Sequence, residues 1–155
     1  MSTRKYWLMK SEPGDVSIDD LANFPDQTVA WYGVRNYQAR NFMRDEMAKG
    51  DGVLFYHSNC AEPGIVGLAE VASEAYPDPS QFDPKSDYFD PGASRDNPRW
   101  MLVDVAFVRK LQRTITLKEL QALPSLAEMA LVRKGNRLSV MPVTAAEWKT
   151  ILGLE

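Results

Sequence analysis

The feature that most constrains the fold of this chain is the irregular alternation of short strand-like runs with short helix signals. The strand-like runs are residues 6–10, 29–31, 53–57, 64–72, 100–108 and 138–143. A doubly wound sheet needs regular strand–helix–strand units, which this order does not supply. The pattern therefore predicts an α+β fold in which a mixed, partly closed β-barrel is flanked by short helices.

Two helices are predicted between the first strand-like runs. Ser17 can accept a hydrogen bond from a backbone N–H at a helix start and predicts a helix over residues 18–23. Asn36 can cap in the same way a longer helix over residues 37–48, which ends before Gly50. The apolar residues of this second helix recur at helical spacing, so one face is expected to pack and the other to be basic.

Further helices are predicted from repeats of the capping box, in which a Ser or Thr and an acidic residue three positions later bond each other's backbone. Such pairs begin at Thr116, Ser125 and Thr144. The first two predict helices over residues 117–123 and 126–132, and the third predicts the final helix of the chain.

Residues 77–98 interrupt this pattern. The segment is rich in proline, aspartate, serine and asparagine, which are residues of turns and loops. It predicts an ordered excursion loop with one short turn of helix. A loop of this length in a small domain is more often functional than not.

Length and charge limit the classes of protein to which the chain can belong. With 155 residues it can build one hydrophobic core, and a single domain over residues 3–153 is expected. Its apolar runs are too short to span a bilayer or to form a secretory signal, so a cytoplasmic protein is expected, or a nuclear one if the source is eukaryotic. A net charge of −3 argues against coating long stretches of nucleic acid, and any such contact must be local.

The residues that could support nucleophilic or metal chemistry are few. One cysteine, Cys60, and one histidine, His57, can form neither an internal disulfide nor a structural zinc site. A Cys–His or Ser–His nucleophile is disfavoured because its base normally comes from a distant part of the chain. Cys60 is therefore interpreted as a small loop or core residue. For His57, a hydrogen bond at a strand end is the simplest role, but a place in a binding site stays open.

Residues 31–40 form a junction between a strand and a helix, where aromatic rings, a flexible glycine and polar side chains crowd together. A base extruded from its stack is held by aromatic faces and by hydrogen-bonding groups at its edge. The types found at Trp31, Asn36, Tyr56, Ser11 and Ser58 suit such a pocket. The alternative, in which these aromatics belong to the core and the nearby arginines are surface charge, stays open at this level.

Four ordered motifs make the sequence similar to the EVE domain family, a part of the PUA-like superfamily. They are YWLMKSEP at residues 6–13, WxGVRNYxAR at 31–40, FYHS at 55–58 and RLSVMPV at 137–143. The resemblance covers nearly the whole chain. It implies a PUA-like twisted mixed β-barrel flanked by short helices, with a pocket that accepts modified bases, notably modified cytosines.

The resemblance also implies a set of ligand-binding residues and leaves the protein without catalytic residues, cofactor or metal. The set is Lys10, Ser11, Glu12, Trp31, Gly33, Val34, Arg35, Asn36, Tyr37, Arg40, Tyr56, His57, Ser58, Trp100, Arg137, Ser139 and Val140. The expected partner is DNA or RNA that carries a modified base, with modified cytosine in DNA favoured. A local basic rim is expected from Lys10, Arg35, Arg40, Arg44, Arg133, Lys134 and Arg137.

In the favoured interpretation a base stacks on Trp31, and on Tyr56 or Trp100 as well, without being chemically changed. Two alternatives use the same pocket. One is an enzyme acting on a modified base or nucleoside, with Glu12 or His57 as general acid or base. The other is a sensor of a small molecule or anion, in which Arg137 or Lys10 neutralises the charge of the ligand. No oligomeric state is predicted.

Overall fold

The computed structural model describes residues 4–155 and contains eight strands in two sheets. The strands are β1 Tyr6–Ser11, β2 Thr28–Ala30, β3 Gly52–His57, β4 Gly64–Val71, β5 Tyr76–Pro77, β6 Met101–Leu102, β7 Asp104–Thr116 and β8 Val140–Val143. Six of them form one curled sheet in the order β2-β7-β4-β3-β1-β8, and β5 pairs with β6. The predicted start of the domain at Thr3 lies outside the described residues.

The main sheet is mixed. β1 runs parallel to β3 and antiparallel to β8, whereas the pairs β3–β4, β4–β7 and β2–β7 are antiparallel. The register shifts between Phe55 and Tyr56 in β3 and again along the β4–β7 pair, and such irregularities bend a sheet. The result is a half-barrel, which confirms the predicted α+β class and mixed barrel-like sheet.

Short helices cover the sheet on both faces. The α-helices are α1 Ile18–Asn23, α2 Tyr37–Asn41, α3 Leu117–Gln121 and α4 Ala145–Leu152. α2 continues into a π-helical turn at Phe42–Glu46, and 3₁₀ turns lie at Pro25–Gln27, Pro79–Phe82, Pro124–Leu126 and Ala130–Val132. Across residues 4–155, none of the helices has the length and apolar character needed to cross a membrane.

Alternating residues of the central strands are buried in two separate cores, because successive side chains of a strand point to opposite faces of the sheet. On one face Leu8 and Leu54 pack with residues of α3 and α4. On the other face Met9 and Phe55 pack with α1, with α2 and with Trp31. The second core therefore supports the strand-to-helix junction that the sequence singled out.

The helix predicted over residues 37–48 is shorter and less regular than expected. It begins at Tyr37, where Asn36 caps it as predicted, but its α-helical part ends at Asn41. The π-helical turn follows, and Met47 leaves the helix in an extended conformation. The chain ends the helix there because the next backbone N–H, that of Ala48, donates to the buried carboxylate of Asp51.

The helix predicted over residues 126–132 is wrong. The segment forms the 3₁₀ turns Pro124–Leu126 and Ala130–Val132 instead. Its apolar residues Leu126, Met129 and Leu131 are all buried in one core. Leu131 follows Leu126 by five residues, a spacing that would place the two on different sides of an α-helix, so tertiary burial overrides the local capping signal.

The predicted strand over residues 100–108 is also divided. Met101 and Leu102 pair with the short strand β5, whereas β7 begins at Asp104 and continues to Thr116. β5 and β6 thus tie together the two ends of the proline-rich loop. The short turn of helix predicted in that loop is confirmed at Pro79–Phe82.

Candidate functional site

A cavity of about 490 Å³ lies where the end of β1, the segment that follows β2 and the segment that precedes β8 come together. Its size falls within the range of roughly 300–1,000 Å³ that is usual for small-ligand sites. The lining residues are Lys10, Ser11, Glu12, Asp15, Val16, Val29, Ala30, Trp31, Tyr32, Gly33, Val34, Arg35, Ser58, Tyr88, Arg137, Leu138 and Ser139.

The strand topology explains why these distant segments meet. β1 and β3 are parallel, so their carboxyl ends reach the same edge, and the N–H of Ser58 donates to the carbonyl of Ser11 at 3.0 Å. β8 is antiparallel to β1, so the residues that precede it reach this edge too. There the N–H of Lys10 donates to the carbonyl of Ser139 at 2.8 Å. Backbone pairing thus fixes three of the predicted motifs around one cavity.

Trp31 forms a rigid part of the cavity lining. Its indole ring meets Phe55 edge to face, with ring centroids 5.6 Å apart, and its backbone N–H donates to the carbonyl of Val103 at 3.0 Å. The side chain is 8% exposed. The two interpretations of this residue are therefore compatible, since Trp31 is a core aromatic that also lines the cavity.

Besides Trp31 and Tyr32, the lining contains a third aromatic residue, Tyr88, which was not predicted. It comes from the proline-rich loop, and its ring lies directly over Gly33. A Cβ atom at Gly33 would come within 2.8 Å of the ring, and the φ of +87° there is one that side chains rarely adopt. Gly33 is thus required both for the turn and for the close approach of Tyr88.

Asp78, in the same loop, fixes this approach and was also missed. Its buried carboxylate accepts hydrogen bonds from the N–H of Gly33 at 2.8 Å and from the guanidinium of Arg35 at 3.1 Å. It also accepts from the N–H and the hydroxyl of Ser80. Burial alone would raise the pKa of Asp78, but these hydrogen bonds together hold the pKa below its ordinary value.

Arg35 holds the proline-rich loop in place and is not a free cation. Besides its ion pair with Asp78, its guanidinium donates twice to the carbonyl of Tyr88, at 2.7 and 3.2 Å. It lies 5.5 Å from the centroid of the Tyr88 ring and 5.2 Å from that of Trp100. These contacts commit most of its donors to the protein itself.

Lys10 and Arg137 are the cations of the lining that stay open to a ligand. In the part of the chain from residue 4 onward, the ion pairs involve other lysines and arginines. Lys10 lies 5.7 Å from the centroid of the Tyr56 ring, and burial lowers its pKa. Of the wider basic rim, Arg44 pairs with Asp45 and Arg133 with Glu128, so their charges are partly neutralised.

Several residues of the predicted set lie outside the cavity lining. Asn36 uses its side-chain oxygen to cap α2, and Tyr56 and Val140 are buried in the cores. Tyr37, Arg40 and Trp100 form a cluster of their own on the neighbouring surface.

His57 also lies outside this lining, at a separate small cleft. Its Nε2 atom accepts a hydrogen bond from the N–H of Ile18 at 3.1 Å, which is the strand-end role considered for it. Burial lowers the pKa of His57, although the nearby Asp19 acts in the opposite direction. The lowered pKa favours the neutral imidazole, the form in which Nε2 can accept this hydrogen bond.

Among residues 4–155, no three His, Cys, Asp or Glu side chains lie close enough together to hold a metal ion. The polar groups of the cavity are instead suited to hydrogen bonding. The hydroxyl of Ser11 donates to the carbonyl of Val16, and the carboxylate of Glu12 accepts from the amide of Asn59 at 3.0 Å. Asp15 brings a second carboxylate to the lining.

Comparison with known proteins gives matches along nearly the whole chain. The EVE domain family model matches residues 5–154. Thymocyte nuclear protein 1 of Danio rerio is 49% identical over 96% of this chain and 71% of its own length. A crystal structure of a Pseudomonas syringae protein superposes with a TM-score of 0.92 at 49% identity, covering 96% of this chain and 98% of that one. Human THYN1 protein in complex with 5-methylcytosine-containing DNA superposes with the same TM-score of 0.92 at 45% identity, covering 97% and 96%.

Replacing Asp78 with Asn should destabilise the fold and loosen Tyr88 from Gly33. Breaking a buried ion pair of this kind costs on the order of 3 kcal/mol in the free energy of unfolding. Because the pKa of Asp78 is lowered in the folded state, its contribution is complete above the ordinary carboxyl pKa of about 4 and is lost as pH falls below it. The difference between wild type and Asp78→Asn, measured by urea unfolding, should therefore narrow in acid.

The matched control is Asp87→Asn, an exposed carboxylate in the same loop, which should leave the free energy of unfolding almost unchanged. Equal stabilities of wild type and Asp78→Asn at pH 7 would contradict the assigned role of this carboxylate.

Proposed function

This chain belongs to the EVE domain family, and we propose that it is a DNA-binding module that captures one modified base, with modified cytosine favoured, and leaves it chemically unchanged. The observation that carries the proposal is the cavity, which combines aromatic rings, hydrogen-bonding groups and two open cations in one lining. The complex of human THYN1 with 5-methylcytosine-containing DNA supports this choice of ligand, because the two structures share their fold over nearly their full lengths.

The aromatic part of the lining suits a flipped base. Trp31 and Tyr88 come from different segments. The ring of Trp31 is held by Phe55, and the backbone of Tyr88 is held by the guanidinium of Arg35. A base that leaves the duplex loses its stacking partners, and rigid aromatic side chains can replace them. A methyl group on the base adds apolar surface, whose burial contributes roughly 25 cal/mol per Å².

The carboxylates of the lining favour cytosine over thymine. Cytosine presents an amino group at N4, a donor that Asp or Glu can accept, whereas thymine presents an acceptor at the same position. Glu12 is exposed at the cavity and accepts one hydrogen bond from Asn59, which leaves further lone pairs for a ligand. Asp15 is the second candidate for this contact.

The charges indicate a local contact with the sugar-phosphate backbone. Lys10 and Arg137 can reach phosphates that flank a captured base, and the whole chain carries a net charge of −3. Affinity for an oligonucleotide should therefore fall only gently as salt concentration rises, because few counterions are released.

A binding function is better supported than turnover of the base. Of the two residues considered as a general acid or base, His57 lies outside the cavity lining and is occupied by the N–H of Ile18. Glu12 is an exposed carboxylate and is not enclosed in the hydrophobic surroundings typical of a catalytic acid. Both observations favour recognition of the base without reaction.

Replacing Trp31 with Ala should lower the affinity for DNA containing 5-methylcytosine by about 10- to 100-fold, since stacking on an aromatic side chain contributes roughly 1–3 kcal/mol per base. Trp31→Phe keeps a ring against Phe55 and is the matched control, for which a smaller loss is expected. The measurement is fluorescence anisotropy on duplexes that differ by one methyl group, with thermal unfolding of each variant. Equal affinity of wild type and Trp31→Ala would refute the proposal.

Replacing Glu12 with Gln should weaken discrimination more than affinity. The amide keeps the shape of the side chain but adds a donor that can face thymine O4, so the preference for 5-methylcytosine over thymine should drop by about tenfold. Competition between two labelled duplexes measures this ratio directly. If Glu12→Gln keeps the full preference and Asp15→Asn loses it, the contact belongs to Asp15.

A further inference from the structure

A stacked aromatic pair stands on the surface beside the cavity. Tyr37, the first residue of α2, lies on Trp100 with ring centroids 4.9 Å apart and 21° between the ring planes. Trp100 is buried, and its indole N–H donates to the carboxylate of Asp90 at 2.7 Å. Tyr37 is 54% exposed. The exposed ring of Tyr37 is thus held in place by the buried ring of Trp100.

Tyr37 is largely exposed to solvent, and Trp100 covers one face of its ring. The Cζ atom of Arg40 lies 4.8 Å from the centroid of the Tyr37 ring and 5.9 Å from that of Trp100. A guanidinium on the far face of Tyr37 would lie much farther from Trp100 than from Tyr37. Arg40 therefore does not cover the face of Tyr37 that points away from Trp100. Its guanidinium donates to the carbonyl of Arg99 and to the side chain of Asn41.

The pair is continuous with the cavity. The guanidinium of Arg35 lies 5.5 Å from the ring centroid of Tyr88, which lines the cavity, and 5.2 Å from that of Trp100. Trp100 in turn stacks on Tyr37. Stacked nucleotides of one strand are about 3.4 Å apart. A strand whose base enters the cavity can therefore bring a base within a few positions to Tyr37.

We propose that the outer face of Tyr37 stacks on an unmodified base that flanks the captured base, with Arg40 beside the phosphate of that nucleotide. This inference rests on the proposed function and adds a second contact to it. Stacking on an aromatic ring accepts any base, because every base has a π face. The cavity would then select the modification, and Tyr37 would supply affinity that is tolerant of sequence.

Charge favours a nucleic acid over a protein as the occupant of this surface. Arg40 has no carboxylate partner within ion-pair distance in the described part of the chain. A cation next to an open aromatic face is the combination found where single strands are bound.

The test is a double-mutant cycle between Tyr37→Ala and an abasic nucleotide placed at each of the three positions on either side of a 5-methylcytosine. At one position, the abasic nucleotide should weaken binding of wild type by about 5- to 50-fold, as expected for the loss of one stacked base. Tyr37→Ala should bind the intact DNA more weakly than wild type by the same factor. The abasic nucleotide at that position should not weaken the binding of Tyr37→Ala any further. Tyr37→Phe, which keeps the ring, should behave as wild type.

Several outcomes separate this inference from the proposed function. If Tyr37→Ala binds every duplex as wild type does while Trp31→Ala loses binding, the second contact is wrong and the proposed function stands. If wild type does not bind the modified DNA at all, both fail. If Tyr37→Ala changes only self-association, measured by sedimentation velocity, the surface is a protein contact and the inference is wrong. Thermal unfolding and Gln38→Ala, an exposed neighbour, control for damage to α2.

Discussion

The buried carboxylate of Asp78 holds together the two parts of the chain on which the cavity depends. Through the N–H of Gly33 and the guanidinium of Arg35 it fastens the proline-rich loop to the segment that follows β2. A carboxylate can remain charged at such a buried position only because several donors converge on it. With that bond in place, Tyr88 lies against Gly33, and the cavity has aromatic residues from two segments. Without it, the loop would still be anchored by β5 and β6, by the bonds of Gln81 to Trp100 and by those of Arg35 to the carbonyl of Tyr88.

The rest of the lining follows from the order and direction of the strands. Placing β1 between a parallel and an antiparallel neighbour brings the end of β1, the residues after β3 and the residues before β8 to one edge of the sheet. The two cores on opposite faces make that edge rigid, since both depend on the same central strands. Side chains on the edge therefore keep their relative positions, which a site for one small ligand requires.

Local signals in the sequence predicted much of this arrangement. The caps at Ser17, Asn36, Thr116 and Thr144 are confirmed, because each depends only on its own backbone neighbours. The helix cap predicted at Ser125 is wrong, because burial of the apolar residues that follow it determines the conformation of its segment. Asp78 and Tyr88 could not be assigned, since their partners in the segment after β2 lie 43 or more residues away and the loop shows no periodic pattern. The sequence pointed to Asp78 and Tyr88 only through the prediction that the whole loop is ordered and functional. Residue types also could not separate Trp31, which lines the cavity, from Trp100, which supports Tyr37 beside it.

Capture of a modified base in this cavity is tested most directly by nuclear Overhauser effects from a ¹³C-labelled methyl group of 5-methylcytosine in a DNA duplex bound to the protein. If the base enters the cavity, the methyl protons should show contacts to the ring protons of Trp31 or Tyr88 and should lose their contacts to neighbouring bases. If the methyl group keeps its contacts within the duplex and shows none to the protein, the base remains stacked in the DNA, and capture of the base by the cavity is contradicted.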